Sequence, residues 1–440
     1  MKKSMEKTPL ITTVRVHSAG THLRITGAVF LALLLVFSLV LASCESSVSA
    51  TNLMLGVVSG APEAKVADEL FAEKAADFSI SLFKRSNSGG AVENILVSPP
   101  SVIFALAMTA NGAAGKTLNQ MEEVLGGGIK MADLNRYLLF YADSLEKSSS
   151  GKAEVNIANS IWFRDDSSLS VKKGFLQVNA DYYGAEAFKS DFGSAATVAE
   201  INKWVSDNTK GMIKEIVDKI DPLTLMYLIN ATSFEAEWDK VYNKEDVAPG
   251  EFTQADGSKL EIDFMYSDEK YYLSGANVTG FMKEYSGGAF SFVALLPDEE
   301  MDIDDFIEGL KGEDFIEIIA GRTEEEVRAS LPKFSYEFKL SLNDQLKQMG
   351  MPEAFAPGDA DFSELGSFEG GNIYIGDVLH KTFIEVDELG TKAGAVTKIE
   401  MVGTGFTERK EVWLDRPFVY AIIDNATGLP IFIGALKYFE

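Results

Sequence analysis

The order of apolar patterns along the chain constrains the fold most. Helix-type periodicity dominates the first third, short strand-type runs dominate the last half, and the two do not alternate. Val66, Leu70, Phe71, Phe78, Leu82 and Phe83 recur near helical spacing, which predicts an amphipathic helix over 66–85. Pro99-Pro100-Ser101 opens a second helix in the apolar stretch from Ser98 to Thr109, and Ile201 to Ile216 reads as a third, with Trp204 and Val205 on its buried side. Val155 to Phe163 alternates as a strand. Leu225–Phe234 and Phe290–Leu296 are short runs expected to be buried on both faces. Phe418–Ile423 and Leu429–Leu436 read as a strand pair joined by the turn Asp424-Asn425-Ala426-Thr427-Gly428. A doubly wound parallel sheet needs strands and helices in alternation, so the expected class is α+β. There is no internal repeat, no low-complexity block and no linker after residue 65, so one domain is expected despite 440 residues.

The N-terminus reads as an address. Lys2, Lys3, Lys7, Arg15 and Arg24 precede an apolar run from Ala28 to Leu41, which is short for a membrane span and has the length of a signal-peptide core. It ends Leu41-Ala42-Ser43-Cys44, which resembles a lipobox, so Cys44 is expected to carry a lipid and to begin the mature chain. The competing reading is a plain secretory signal with a spare cysteine. Residues 1–43 are thus a signal peptide and 44–64 a Ser/Ala/Gly-rich flexible tether. The protein is expected at the cell envelope or surface, held to the lipid membrane through Cys44.

Composition then excludes chemistry. Cys44 is the sole cysteine, so no disulfide can form within the chain, and His17 and His22 precede the cleavage point, leaving His380 alone. A site with two or more histidines, or a zinc centre of the usual kinds, is excluded; no metal and no cofactor is expected. Cleavage removes five basic residues and one acidic residue, which takes the net charge from −26 to −30. Such a surface repels nucleic-acid phosphates and other polyanions.

Three motifs need weighing. Ala110-Asn-Gly-Ala-Ala-Gly115-Lys116-Thr117 fits a loose phosphate loop, but Ala110 stands where the first glycine belongs, and a helix end with a turn is the plainer reading. No Gly-x-Ser-x-Gly is present, and one histidine on a strand is a poor basis for a serine hydrolase. The triplets starting at Asn230, Asn277 and Asn425 fit glycosylation patterns by chance. More informative is the stretch Glu385 to Arg416. A strand-like end leads into Lys392-Ala393-Gly394-Ala395-Val396-Thr397 and then a polar tract to Lys410, a long loop with small residues in its first half.

Blocks in a fixed order give these features a common origin. They are Asn94-Ile-Leu-Val-Ser98-Pro99-Pro100-Ser101, Asn111-Gly-Ala-Ala-Gly115-Lys-Thr117, and Ile201-Asn202-Lys203-Trp204-Val205. Leu228-Ile229-Asn230-Ala231, Trp238, Leu331-Pro332-Lys333-Phe334, Leu414-Asp415-Arg416-Pro417-Phe418 and Phe432-Ile433-Gly434 follow. Over about residues 65–440 the chain resembles the serpin family, in a prokaryotic lipoprotein form. The resemblance implies three β-sheets, about eight or nine helices, and an exposed reactive-centre loop over about 388–411. It implies a shutter of Ser98, Ser101, Asn230 and His380 beneath strands that must part, a breach at Trp238, and a hinge of Glu388, Gly390, Thr391, Ala393, Gly394, Ala395, Val396 and Thr397. Small and β-tolerant residues suit a segment that must enter a sheet, and no proline blocks the ladder. Lys392 and Leu389 depart from the usual hinge pattern.

The activity this implies is suicide inhibition of serine, or also cysteine, proteases by a monomer. The protease cuts the loop, forms an acyl-enzyme, and is trapped as the freed loop inserts as a strand. The serpin itself supplies no catalytic residue. Counting from Glu388 places the scissile bond at Thr404-Gly405, which suits elastase- or subtilisin-like targets. Val402-Gly403 is a rival bond, and Lys398 or Arg409 would serve trypsin-like enzymes. The alternative function is a non-inhibitory surface binding module.

Overall fold

Leu379 to Val386 alternates half-buried and buried positions along its length, the pattern of a strand that covers a core on one face only. It belongs to the central sheet of the computed structural model, which describes residues 50–87, 93–149, 152–391 and 409–439. In chain order that sheet holds β1 (Thr51–Asn52), β2 (Ala153–Arg164), β3 (Glu186–Ser190), β4 (Met226–Glu237), β5 (Phe334–Ser341), β6 (Leu379–Val386) and β7 (Gly390–Thr391). In space they run β1-β3-β2-β4-β7-β6-β5. The β2–β3 pair is parallel; the others are antiparallel.

A six-stranded sheet forms the second layer, ordered Ile95–Val97, Pro430–Leu436, Phe418–Asp424, Phe290–Pro297, Val278–Glu284 and Tyr271–Gly275. Its middle strands are buried along their whole length, as runs of unbroken apolar sequence require. A four-stranded sheet contains Lys410–Trp413, Val327–Pro332, Lys259–Glu269 and Val247–Thr253, and Gly366–Phe368 pairs with Leu169–Val171 alone. The fold is thus α+β with three large sheets, as expected. Helix Pro99–Ala110 is buried at every position and packs against β4 and strand Pro430–Leu436. Its residues are apolar almost throughout, which is too hydrophobic for a surface helix.

Two expectations are corrected. The third helix spans Ala195–Asn208 and does not reach Ile216. Thr209 ends it by bonding its hydroxyl to the Val205 carbonyl, and Lys210 and Gly211 then adopt left-handed backbone. Ile213, Ile216 and Val217 remain buried because Asn202 Oδ1 accepts the N–H groups of Ile216 and Val217, which folds the chain back on the helix. The second correction concerns the tether. Its later part is seated on the folded body: Thr51 and Asn52 pair with Lys189 and Phe188, Leu53 N–H donates to the Ala187 carbonyl, and Gly60 N–H donates to Asp181. The edge of β3 would otherwise present unpaired backbone groups, and this short strand covers it. A protein beginning at Pro62 is therefore expected to melt below one beginning at Glu45, as calorimetry would show.

The phosphate-loop lookalike is filled by the fold. Gly115 starts helix Gly115–Gly126, the Lys116 ammonium pairs with Glu353, and Thr117 Oγ1 accepts the Asp361 N–H. The segment is thus a helix start whose lysine pairs with a carboxylate and whose threonine is buried, the plainer of the two readings.

Candidate functional site

Between β4 and β6 the central sheet is held together by two residues. Gly390 pairs with Glu237 and Thr391 with Ala236 on one side, and Thr391 pairs with Val386 on the other. Among the described residues β4 and β6 do not pair directly, so β7 is a two-residue strand at the head of a slot whose flanks continue for the length of β6. A Cβ on Gly390 would lie 2.0 Å from the Ala236 carbonyl oxygen, so glycine alone fits the approach. Thr391 is 3% exposed, and its hydroxyl lies 2.6 Å from that of Tyr285.

The turn into β7 rests on an aromatic platform. Trp238 is buried, stacks on Tyr285 with centroids 4.5 Å apart, and meets Phe292 edge-on. Its indole N–H donates to the Asp387 carbonyl and its backbone N–H to the Leu389 carbonyl. Tyr242 N–H donates to the Glu388 carbonyl. Asp387 Oδ1 accepts the N–H groups of Leu389 and Gly390, which closes the turn into β7. The Glu388 carboxylate takes Lys333 at 2.7 Å. Partial burial works against its charge, yet the bond from Lys333 prevails and holds its pKa below the ordinary glutamate value. Trp238, Glu388, Gly390 and Thr391 thus stand in one cluster at the head of the slot. Ala393, Gly394, Ala395, Val396, Thr397, Thr404 and Gly405 lie outside the described residues, as does Cys44.

Farther down the slot, Ser101, Asn230 and His380 line one small cavity of about 20 Å³, the size of a single water. Ser98 N–H donates to His380 Nε2 at 3.1 Å, and the Ser98 hydroxyl is buried with no partner among the described residues. His380 faces Leu340 across the β5–β6 ladder. Burial holds it neutral, with a pKa pushed down to about 4. The expected hydrogen-bond cluster is corrected: among the described residues the Ser98 N–H is its one bond to His380, and Ser101 and Asn230 only line the cavity. Asn230 makes no bond to His380; its amide donates to Asn159 Oδ1 at 2.7 Å and its Oδ1 accepts the Thr232 hydroxyl. Asn159 stands directly opposite it on β2, where the β2–β4 register pairs the two.

Sequence reasoning missed Tyr285, Tyr242 and Asn159, which carry no local signature. Lys283, which directly follows the apolar pair Phe281-Met282, was a faint signal that went unused. Among the described residues no three His, Cys, Asp or Glu side chains converge to hold a metal.

The comparisons agree with this geometry. The family described as Serpin (serine protease inhibitor) matches residues 73–438. The leukocyte elastase inhibitor of Xenopus laevis is 32% identical over 81% of this chain and 96% of its own. Among solved structures, the thermophilic serpin tengpin in its native state is 48% identical, covers 89% of this chain and all of its own, and superposes with a TM-score of 0.84. The latent state of the same protein, 48% identical over 86% of this chain and all of its own, gives 0.76.

Proposed function

This chain belongs to the serpin family, and we propose that within it the protein is a suicide inhibitor of serine or cysteine proteases, tethered to a membrane through Cys44. One observation carries the reading: Gly390 and Thr391 already stand as a strand between β4 and β6. Each step from Gly390↔Glu237 moves one residue along the flank, so a strand growing in this register would set Thr397 opposite both Asn230 and His380. Thr391 faces the core, so Ala393, Ala395 and Thr397 would share that face by the two-residue period. All are small enough to enter between packed strands. Lys392 would fall on the other face, where its charge stays in water.

Insertion converts loop cleavage into a trap. The acyl-enzyme ester links the protease to the residue before the cut bond, and the new strand carries that residue down the sheet and away from the site of attack. Small residues around Thr404-Gly405 suit an elastase- or subtilisin-like protease, and a relative named as an elastase inhibitor supports that class. Family members generally inhibit proteases rather than act as enzymes, and no residue here is asked to do acid, base or nucleophilic work.

The test mixes a soluble form beginning at Glu45 with pancreatic elastase, subtilisin and trypsin on a denaturing gel. A band at the summed mass that survives boiling is expected with at least one of them, and mass spectrometry of the released C-terminal peptide reads the bond. Cleavage by all three with no such band would favour a surface binding module.

A further inference from the structure

Strand Val278–Glu284 carries a lysine deep in the molecule. Lys283 is 2% exposed, and its ammonium lies 2.8 Å from Glu269 Oε1 at the buried end of strand Lys259–Glu269. Two aromatic faces enclose it, with the Tyr242 centroid at 4.3 Å and the Trp238 centroid at 5.4 Å. Ser267 Oγ reaches the same Glu269 oxygen at 2.6 Å and the Tyr242 hydroxyl at 3.3 Å. Burial alone would drive the ammonium toward neutrality; Glu269 and the Tyr242 phenol outweigh it and hold the lysine above its ordinary pKa.

A buried ion pair is a poor device for stability, since an apolar pair of the same shape commonly does as well or better. What the pair touches gives it another use. Trp238 and Tyr242 are the two residues whose N–H groups hold the carbonyls of Asp387, Glu388 and Leu389, directly before β7. A fixed cation behind both rings limits how far either can rotate, and so limits where the hinge backbone can sit.

We propose that Lys283 and Glu269 are positioning residues for loop insertion: they fix the Trp238–Tyr242 platform that holds the hinge at the head of the slot, so that the entering strand starts in one register. The proposal rests on the inhibitor reading and adds two residues to it, both remote from the scissile bond.

The test uses the protein beginning at Glu45. The double variant Lys283→Met with Glu269→Gln removes both charges at nearly constant volume; Lys283→Met alone leaves a buried carboxylate without its cation and risks misfolding. Ser267→Ala, which removes one bond to Glu269, serves as a milder second variant with the same pattern at smaller amplitude. In uncleaved double variant, hydrogen exchange at the Trp238 and Tyr242 amides is expected to quicken by about tenfold or more, with strands Phe418–Asp424 and Pro430–Leu436 unchanged. Against a protease that the wild type traps, the association rate should stay within about twofold, because loop recognition is untouched. The moles of serpin consumed per protease inactivated should rise severalfold, because slower insertion lets more acyl-enzyme hydrolyse. Unchanged exchange at these two amides, exchange that quickens equally in the remote strands, or an unchanged stoichiometry would each overturn the proposal. A wild type that traps no protease at all removes the inhibitor reading alone, and the exchange pattern then decides whether the pair holds the hinge.

Discussion

Thr391→Arg is expected to abolish the boil-resistant complex and turn the protein into a substrate that proteases simply cut. Thr391 is 3% exposed, bonded to Tyr285 and paired on both sides. An arginine there must either bury a guanidinium among Tyr285 and Trp238, at about 3–5 kcal/mol for a charge without a partner, or leave the slot. The second course is the less costly, and it stops insertion at its first residue. The acyl-enzyme then has time to hydrolyse. Complex yield should fall by about tenfold or more, since each 1.4 kcal/mol is a factor of ten in partition. Cleaved wild type should also melt well above the intact form, because a new central strand adds a full ladder of pairs, and the cleaved variant should not. Thr391→Ser, which keeps the hydroxyl and the small volume, should behave as wild type. An arginine variant that traps protease as well as wild type would falsify the insertion reading of β7.

Acid is expected to weaken the molecule through His380 between about pH 6.5 and pH 4. The imidazole titrates near 6.5 in the unfolded chain and near 4 when folded, because burial disfavours its charged form. Above pH 6.5 both states hold it neutral and stability is undiminished. As pH falls, the unfolded state takes up the proton first, so stability drops until the folded group titrates as well. Two and a half pH units correspond to about 3 kcal/mol lost below pH 4. Protonation has a local effect too, since Nε2 of an imidazolium cannot accept the Ser98 N–H, and the bond that joins the start of helix Pro99–Ala110 to β6 is lost. Melting temperatures from pH 7.5 to 4 should therefore fall more steeply in wild type than in His380→Gln, whose amide oxygen can still accept that N–H. Equal slopes would show that the histidine plays no part in the acid response. If the bond gates strand separation, mild acid should also quicken loop insertion, which the exchange of β6 amides can follow.

Three of the six strands of the second sheet could be read from sequence alone because they are buried along their whole length. Phe290–Pro297 and Phe418–Asp424 contain almost nothing but apolar residues, and their shortness and β-branched and aromatic content mark them as strands. The helix at Pro99 was legible for a similar local reason: two prolines suit a first turn, where the missing N–H groups have no partner to lose. The order of elements set the α+β class, and the sole histidine after Cys44 excluded most catalytic chemistry before any coordinate was known. The small residues of 393–397 lie outside the described residues, so their composition supports only a proposed role.

Tertiary structure alone decided the pairings. Asn230 turns to Asn159 because the β2–β4 register sets them opposite, and register depends on partners far apart in the chain. Thr51 and Asn52 form a strand because β3 would otherwise leave an open edge, a need that a Ser/Gly-rich segment does not announce. Lys283 follows an apolar pair in sequence, but its burial is decided by partners from two distant segments, Glu269 on one and Trp238 with Tyr242 on the other. Local sequence sets which residues can be buried and which backbone shapes are open. Which partners satisfy a buried charge or an unpaired amide is settled only when distant strands meet.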